Sequence, residues 1–529
     1  MAFATVHSCT LSGVHAIPVT IEVHIAGGLP SVSLVGLPQT AVRESKDRVR
    51  AAIQNAGFEF PQVRVTVNLA PADLPKQGGR FDLPIALGIM LAKGYLPEGS
   101  LDNLCVVGEL GLNGELRAIN GVLPSALSLR ASSQALLCPS DNLAEAMRSK
   151  QSKVIGADTL NDVVYGLVQR AGKHAPKAPL AFTQDALSKE ATLWSCDKSQ
   201  ALKTQPAIAR AFSSGDFSEV KGHSIAKRGL EIAAAGGHNV LLMGPPGTGK
   251  SMLASRFSTL LPPLSEEESL ETASIASLVG NLSDSGFDLH QFGVRPFRSP
   301  HHTVTTAALI GGGFKAMPGE VSLAHNGVLF LDEMAEFSRS VLDALREPME
   351  THCVHVSRLG RRATYPAQFQ LIGASNPCPC GYFGDPSQPC RCSLTQLQSY
   401  RARLSGPLLD RIDLYISVER TSPNLLLDVE ASERSLSIQQ RVVDCQTRQR
   451  SRQGEINQRL SAQDLNNVWC QQKDVKQFLS AAAERLALSH RAIHRTVRVA
   501  RTIADLAGSV PVEVSHIAEA MTYRPNSLE

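Results

Sequence analysis

What the chain lacks narrows it first. None of its 529 residues belong to an uncharged apolar run long enough to cross a bilayer. The opening Met1-Ala-Phe-Ala-Thr5 has neither the basic stretch nor the apolar core of a secretion leader, so a cytoplasmic location and no membrane partner are expected. An excess of one charge is missing too: 52 Lys and Arg against 49 Asp and Glu leave a net +3, so any nucleic-acid site has to be a local basic patch. The 11 cysteines are odd in number and follow no leader, which argues for thiols or metal ligands rather than a disulfide framework. Hydrophobic content of 43% and charged content of 19% are those of a globular protein, and the length calls for two or three domains.

What is present is a complete phosphate-binding loop, Gly244-Pro245-Pro246-Gly247-Thr248-Gly249-Lys250-Ser251, matching G-x-x-x-x-G-K-[ST] at every fixed position. Val240 to Met243 before it reads as a buried parallel strand, and Met252 to Phe257 after it has helical spacing. In that context backbone N–H groups close on a phosphate and the helix N-terminus adds partial positive charge. Lys250 is expected on the β- and γ-phosphates of ATP and Ser251 on Mg2+. Downstream, Gly327-Val-Leu-Phe-Leu-Asp332-Glu333 is an apolar strand ending in two carboxylates. Asp332 would hold the magnesium and Glu333 would polarise the attacking water as general base. Leu371-Ile-Gly-Ala-Ser-Asn376 is a further strand, ending in an amide able to orient water or meet the γ-phosphate; a helix or turn cap is the bland reading of that Asn.

Around these lie further segments. Val19–Ile25, Ser31–Val35 and Arg64–Leu69 read as strands, Thr40–Asn55 and Pro84–Ala92 as helices, and Cys105–Ile119 as a hairpin turning at Asn113-Gly114. Residues 1–170 thus form an α/β unit, 171–212 a linker rich in Ala, Lys, Ser and Pro, 213–425 the nucleotide-binding unit, and 426–529 a strand-free helical region.

Asp216-Phe-Ser-Glu-Val-Lys-Gly-His223, Ala233-Ala-Ala-Gly-Gly-His-Asn239, the phosphate loop, Phe297-Arg-Ser-Pro-His-His302, Pro318-Gly-Glu-Val-Ser-Leu-Ala-His325 and Ser405-Gly-Pro-Leu-Leu-Asp-Arg-Ile-Asp413 together resemble the ComM/YifB family, AAA+ ATPases related to the ATPase subunit of magnesium chelatase. The likeness spans nearly the whole chain outside the linker. It implies an α/β fold with an AAA+ P-loop NTPase core and an all-helical lid, assembling into a ring, a hexamer. It implies further a DNA helicase acting on single-stranded or branched DNA, promoting branch migration in natural transformation and homologous recombination, with recombination proteins as partners. By the same resemblance Arg411 is the arginine finger, supplied to a neighbour's ATP, where the bland reading is a salt bridge to Asp410 or Asp413. Arg491, opening a helix in Leu488-Ser-His-Arg491, matches the sensor 2 position that reaches the γ-phosphate; Arg495, one turn on, is the alternative. Val220-Lys-Gly-His223 resembles the segment that packs on adenine.

Gly108-Glu-Leu-Gly-Leu-Asn-Gly-Glu-Leu-Arg-Ala-Ile-Asn-Gly121 resembles the proteolytic domain of Lon-type proteases, so the N-terminal domain is expected to be α/β and Lon-protease-like. Asp82 stands where that family has its nucleophilic Ser, and Pro124 where it has Lys. The dyad chemistry is therefore unavailable, and an inert scaffold is expected.

Cys378, Cys380, Cys390 and Cys392, two close pairs, are either a zinc knuckle or four reduced cysteines in a loop; C-x-C is tighter than the usual ligand spacing. Between the loop and the acids, the Gly-rich Gly311-Gly-Gly-Phe314-Lys315 suits a ring pore, Phe314 stacking on bases and Lys315 meeting phosphate, or a loop packed on a neighbour. The adjacent His301 and His302 would point opposite ways on extended backbone, against a metal site. Late arginines permit DNA binding without requiring it, since most charge runs are solvated faces. The rival function is a chelatase-type chaperone that remodels a protein or inserts a metal, using the same ATPase.

Overall fold

Period-two apolar patterning builds the first of two units, which comprises Met1–Thr204, Leu270–Phe292 and Val356–Thr364; the second comprises Gln205–Ser269, Gly293–His355 and Tyr365–Glu529. The computed structural model describes residues 2–36, 40–74, 76, 78–150, 153–171, 215–280, 292–313, 316–358, 361–420, 433–461, 463–465, 473–486 and 488–525. Apart from Ala171, the expected linker at 171–212 lies outside the described residues, as do Phe314 and Lys315.

In the first unit, β1 (Ala2–Ser12) and β2 (His15–Ala26) form a long antiparallel hairpin, with Ala2 opposite Ile25 and Ser12 opposite His15. β3 (Ser31–Val35) runs parallel to β4 (Arg64–Ala70), which pairs antiparallel with β2. β5 (Leu104–Val106), β6 (Ala135–Pro139) and β7 (Val154–Ala157) extend the other side in parallel, giving the order β3-β4-β2-β1-β5-β6-β7. Val19, Ile21, Val23, Val65, Val67 and Leu69 point into a core shared with α1 (Thr40–Asn55) and α2 (Asp82–Lys93). The expected Cys105–Ile119 hairpin divides: β5 joins the sheet, and only Glu109–Leu110 pairs with Leu116–Arg117 around the Asn113-Gly114 turn. Leu270 and Ala273, from the central stretch of sequence, pack on Leu123 in this unit.

Asp82 is fully buried in this unit. Its carboxylate accepts hydrogen bonds from Arg48 Nε at 2.7 Å, from the Ser45 hydroxyl and from the Leu110 N–H at 3.3 Å. It is a structural anchor for α1, and Pro124 is buried in α3 (Val122–Ser128).

The second unit is built on five parallel strands: β8 (Val240–Met243), β9 (Phe297–Arg298), β10 (Val328–Leu331), β11 (Gln370–Ser375) and β12 (Leu414–Ser417), in the order β9-β10-β11-β8-β12. Strands covered on both faces read as continuous apolar runs, which Val328–Leu331, entirely buried, illustrates. Helices α4 (Ser224–Gly236) and α5 (Lys250–Phe257) share this core with α6 (Ser435–Gln453), α7 (Lys473–Arg485), α8 (His490–Leu506) and α9 (Val514–Thr522). The C-terminal helices therefore belong to the same compact unit as the sheet; Val442, Cys445, Val497 and Ile503 pack with Ala233 and Leu242.

The late arginines are mostly engaged inside this unit. Arg441 pairs with Glu231 and Glu433, Arg452 and the fully buried Arg501 with Asp505, and Arg495 with Asp413. Burial alone would raise Asp505, but Arg452, Arg501 and Asn457 hold it below the ordinary carboxylate range. Much of the positive charge seen in the sequence thus fastens helices rather than forming a surface.

His238 is fully buried between α4 and β8, its Nε2 2.8 Å from Thr502 Oγ1, and burial pushes it down to about 4. Below the ordinary value near about 6.5, the unfolded chain takes up a proton that the folded imidazole refuses until about pH 4. Its contribution is complete above about pH 6.5 and declines as the pH falls toward 4, an effect of about 3 kcal/mol at the limit. Thermal unfolding of His238→Gln is expected to decline less than wild type between about pH 7 and about pH 5; an equal decline would exclude His238 from the acid response.

Candidate functional site

Because β8, β10 and β11 are parallel and adjacent, the residues following their C-terminal ends meet. Such ends are where open α/β sheets bind ligands. The loop after β8 turns through Gly247 and Gly249, at φ of +76° and +85°, and a Cβ at either would meet nothing within 4 Å. It opens directly into α5, whose N-cap Gly249 provides no side-chain cap. The first helical N–H groups are left to a ligand.

Lys250 is nearly buried, yet its ammonium donates to Gly244 O at 2.7 Å, Pro245 O at 2.8 Å and Asn376 Oδ1 at 3.1 Å. Burial pulls its affinity for the proton below the ordinary lysine value, while Asp332 and Glu333 work the other way. The Ser251 hydroxyl donates to Asp332 Oδ2 at 2.8 Å, and Asp332 Oδ1 accepts the N–H of Glu333 at 3.0 Å. Glu333 adopts φ of +50°, a left-handed conformation uncommon for a side-chain-bearing residue, and its carboxylate is mostly exposed. Strain of this kind concentrates at working sites.

Among the expected residues, the structure brings Lys250, Ser251, Asp332, Glu333 and Asn376 together. Arg411 stands apart. It precedes β12, parallel to β8 with Val240 opposite Leu414, so it sits at the opposite strand end from its own phosphate loop. Its guanidinium is held by Glu350 and Pro407 O, not by Asp410 or Asp413. Arg491 is exposed on the first turn of α8, and no hydrogen bond or ion pair among the described residues ties it to the loop. Arg495 binds Asp413 at that same far end.

His302 is a residue the sequence did not single out for this site. The segment turns rather than extends, so the His301 and His302 rings lie 4.1 Å apart, and His302 Nδ1 is 4.0 Å from Glu333 Oε2. Only the strand order reveals it, since His302 follows β9, the strand next to β10. The sulfurs of Cys378, Cys380, Cys390 and Cys392 all lie within 4.8 Å of one another.

Comparisons with known families cover most of the chain. Residues 216–426 match the family described as magnesium chelatase, subunit ChlI, and 432–524 match its C-terminal family. Residues 21–142, in the N-terminal unit, match the family described as subunit ChlI of Mg-chelatase. The chain is 44% identical over 525 residues to the uncharacterized protein YifB of Salmonella typhimurium, covering 99% of this chain and 97% of that one. It is 43% identical over 526 residues to the competence protein ComM of Haemophilus influenzae, covering 99% of this chain and 98% of that protein. The chain belongs to the ComM/YifB family of magnesium-chelatase-like AAA+ proteins.

Family membership implies use of a nucleotide and Mg2+, and the donor set fits both. A cation, an open helix N-terminus and a glycine cradle suit a triphosphate, and a hydroxyl beside a carboxylate suits a hard divalent ion. Mg-ATP is therefore expected to raise the unfolding midpoint, by about 2.7 kcal/mol of stabilisation at a hundredfold excess over Kd. Lys250→Ala should abolish the shift in a thermal melt; a full shift in that variant would locate nucleotide elsewhere.

Proposed function

We propose that the chain is an ATP- and Mg2+-dependent, ring-forming DNA motor, hexameric and cytoplasmic, that promotes branch migration during natural transformation and recombination. The observation that carries the ATPase part is the convergence of Lys250, Ser251, Asp332, Glu333 and Asn376 at three adjacent strand ends. In this reading Gly244 to Ser251 cradle the phosphates, with Lys250 exchanging its loop carbonyls for phosphate oxygens. Ser251 and Asp332 hold Mg2+, which draws charge from the phosphates when bound. Glu333 takes a proton from the attacking water, with His302 steadying its carboxylate, and Asn376 orients that water. The DNA part is supported by likeness to a protein named for competence.

Ring formation is supported by Arg411. Lying at the far strand end, it serves a neighbour's phosphate rather than its own, leaving Glu350 to do so. Two inactive variants test this directly. Arg411→Ala mixed with Lys250→Ala should regain ATPase activity, because mixed rings contain some interfaces with both groups intact. A mixture as inactive as its parts would overturn the assignment in trans.

The N-terminal unit is proposed as a Lon-like scaffold without protease chemistry, spanning about residues 1–170, and the helices of 426–529 as the AAA+ lid. The buried pairing of Asp82 with Arg48 supports the former. A chelatase-type remodelling role is the second reading, favoured by three family matches that all bear the magnesium chelatase name. ATPase rates with no DNA, single strand, duplex and a branched junction separate the two. Stimulation by DNA, with junction migration lost in Lys250→Ala, is expected; indifference to every DNA would favour the remodelling role.

A further inference from the structure

Residues 376–393, between β11 and the helix Leu394–Arg401, contain neither helix nor strand. A stretch of that length inside a packed unit needs something to fix it. Its four cysteines are drawn together. Cys378 Sγ lies 3.3 Å from Cys380 Sγ and 3.7 Å from Cys390 Sγ, and Cys380 Sγ lies 3.5 Å from Cys390 Sγ. Cys392 completes a set within 4.8 Å, and Cys378 is fully buried.

Those separations select the ligand. Four thiolates about 2.3 Å from one zinc ion form a tetrahedron whose edges are about 3.8 Å. A disulfide would hold only two sulfurs, at about 2.0 Å. An iron–sulfur cluster interposes several atoms and spreads its ligand sulfurs apart. Soft thiolates also exclude magnesium and calcium. The Phe383 N–H donates to Cys378 Sγ at 3.3 Å, the kind of backbone support that orients a metal-bound thiolate.

The same knuckle touches the nucleotide site. The Gly381 N–H closes a turn on Cys378 O at 2.9 Å, and Gly381 adopts φ of +85°. A Cβ on Gly381 would stand 2.6 Å from Pro246 Cδ, in the middle of the phosphate loop. Asn376, two residues before Cys378, accepts from Lys250. One loop therefore carries both the amide on the lysine and the turn against the glycine cradle.

We propose that Cys378, Cys380, Cys390 and Cys392 bind one zinc(II) ion as thiolates, and that this site braces Gly381 against Pro246 and Asn376 against Lys250. The brace, though not the zinc site, rests on reading the loop as a nucleotide site. Zinc is a structural ion here, with all four positions taken by sulfur and none left for a substrate.

The test uses the full chain, purified without added metal. Elemental analysis should find about one zinc per chain, with Cys390→Ser/Cys392→Ser losing it. Absence of stoichiometric zinc, or iron in its place, overturns the site. Because the double variant risks misfolding, wild type is also stripped with a thiol-reactive mercurial, then reduced and resupplied with zinc. Hydrogen exchange is expected to rise on stripping in peptides covering both 376–392 and 244–251, and to fall again with zinc. A rise confined to 376–392 overturns the brace and leaves the metal site standing. ATP hydrolysis should fall reversibly on the order of 10–100-fold on stripping. A chain that binds zinc and shows both exchange changes, yet never hydrolyses ATP, would refute the proposed function and not the zinc site.

Discussion

The whole second unit is arranged around one cation kept out of water. Lys250 can remain charged in its nearly buried position because Asp332 and Glu333 oppose the cost of burial and two carbonyls of its own loop and the amide of Asn376 accept its hydrogen bonds. Those acceptors come from two different strands, so β8 and β11 must be neighbours and parallel, with ends level. The register supplies that, pairing Met243 with Ser375 one residue before each functional segment begins. β10 then lies on the other side of β11 and brings Asp332 to Ser251. Moving any one of these strands by a single residue would turn its terminal group toward the opposite face.

Much of this was legible in sequence because the chemistry sits at the ends of short apolar runs. A parallel strand buried on both faces has no alternation to interpret, yet Val240–Met243 and Val328–Leu331 are bounded by the very residues that make the motif, and their limits coincide with the observed strands. Thr40–Asn55 was equally clear from its helical period. β1 was not, because buried Ser8 and Thr10 interrupt its apolar pattern. Chain order also concealed what contact reveals. Nothing in sequence joins His302 to Glu333, or assigns Leu270–Phe292 and Val356–Thr364 to the first unit.

Charge was the least readable quantity. The arginines between Arg441 and Arg501 look like a phosphate-binding face when counted, but Arg441, Arg452, Arg495 and Arg501 meet Glu231, Asp413 or Asp505. A buried ion pair contributes little net stability compared with apolar packing, whereas removing one partner is costly. Such pairs therefore act mainly as registration marks. They tie α6 to α4 and to α8, and α8 to the segment just before β12.

One of these marks, Asp413, ties several elements together at the far end of the sheet. Asp413 accepts the Asn239 N–H at 2.9 Å and an N–H of Arg495 at 3.4 Å, while Asn239 donates to Arg411 O at 3.2 Å and accepts from the Leu371 N–H at 2.9 Å. The starts of β8, β11 and β12 are thereby knotted to each other and to α8. Arg411 belongs to that knot through its own backbone, and Asp413 lies two residues further on. A displacement of Arg411, whether toward Glu350 or away from it, is passed first to groups that also hold β8 and α8. The far end of the sheet thus links the segment that carries Arg411 with the strand that carries the phosphate loop.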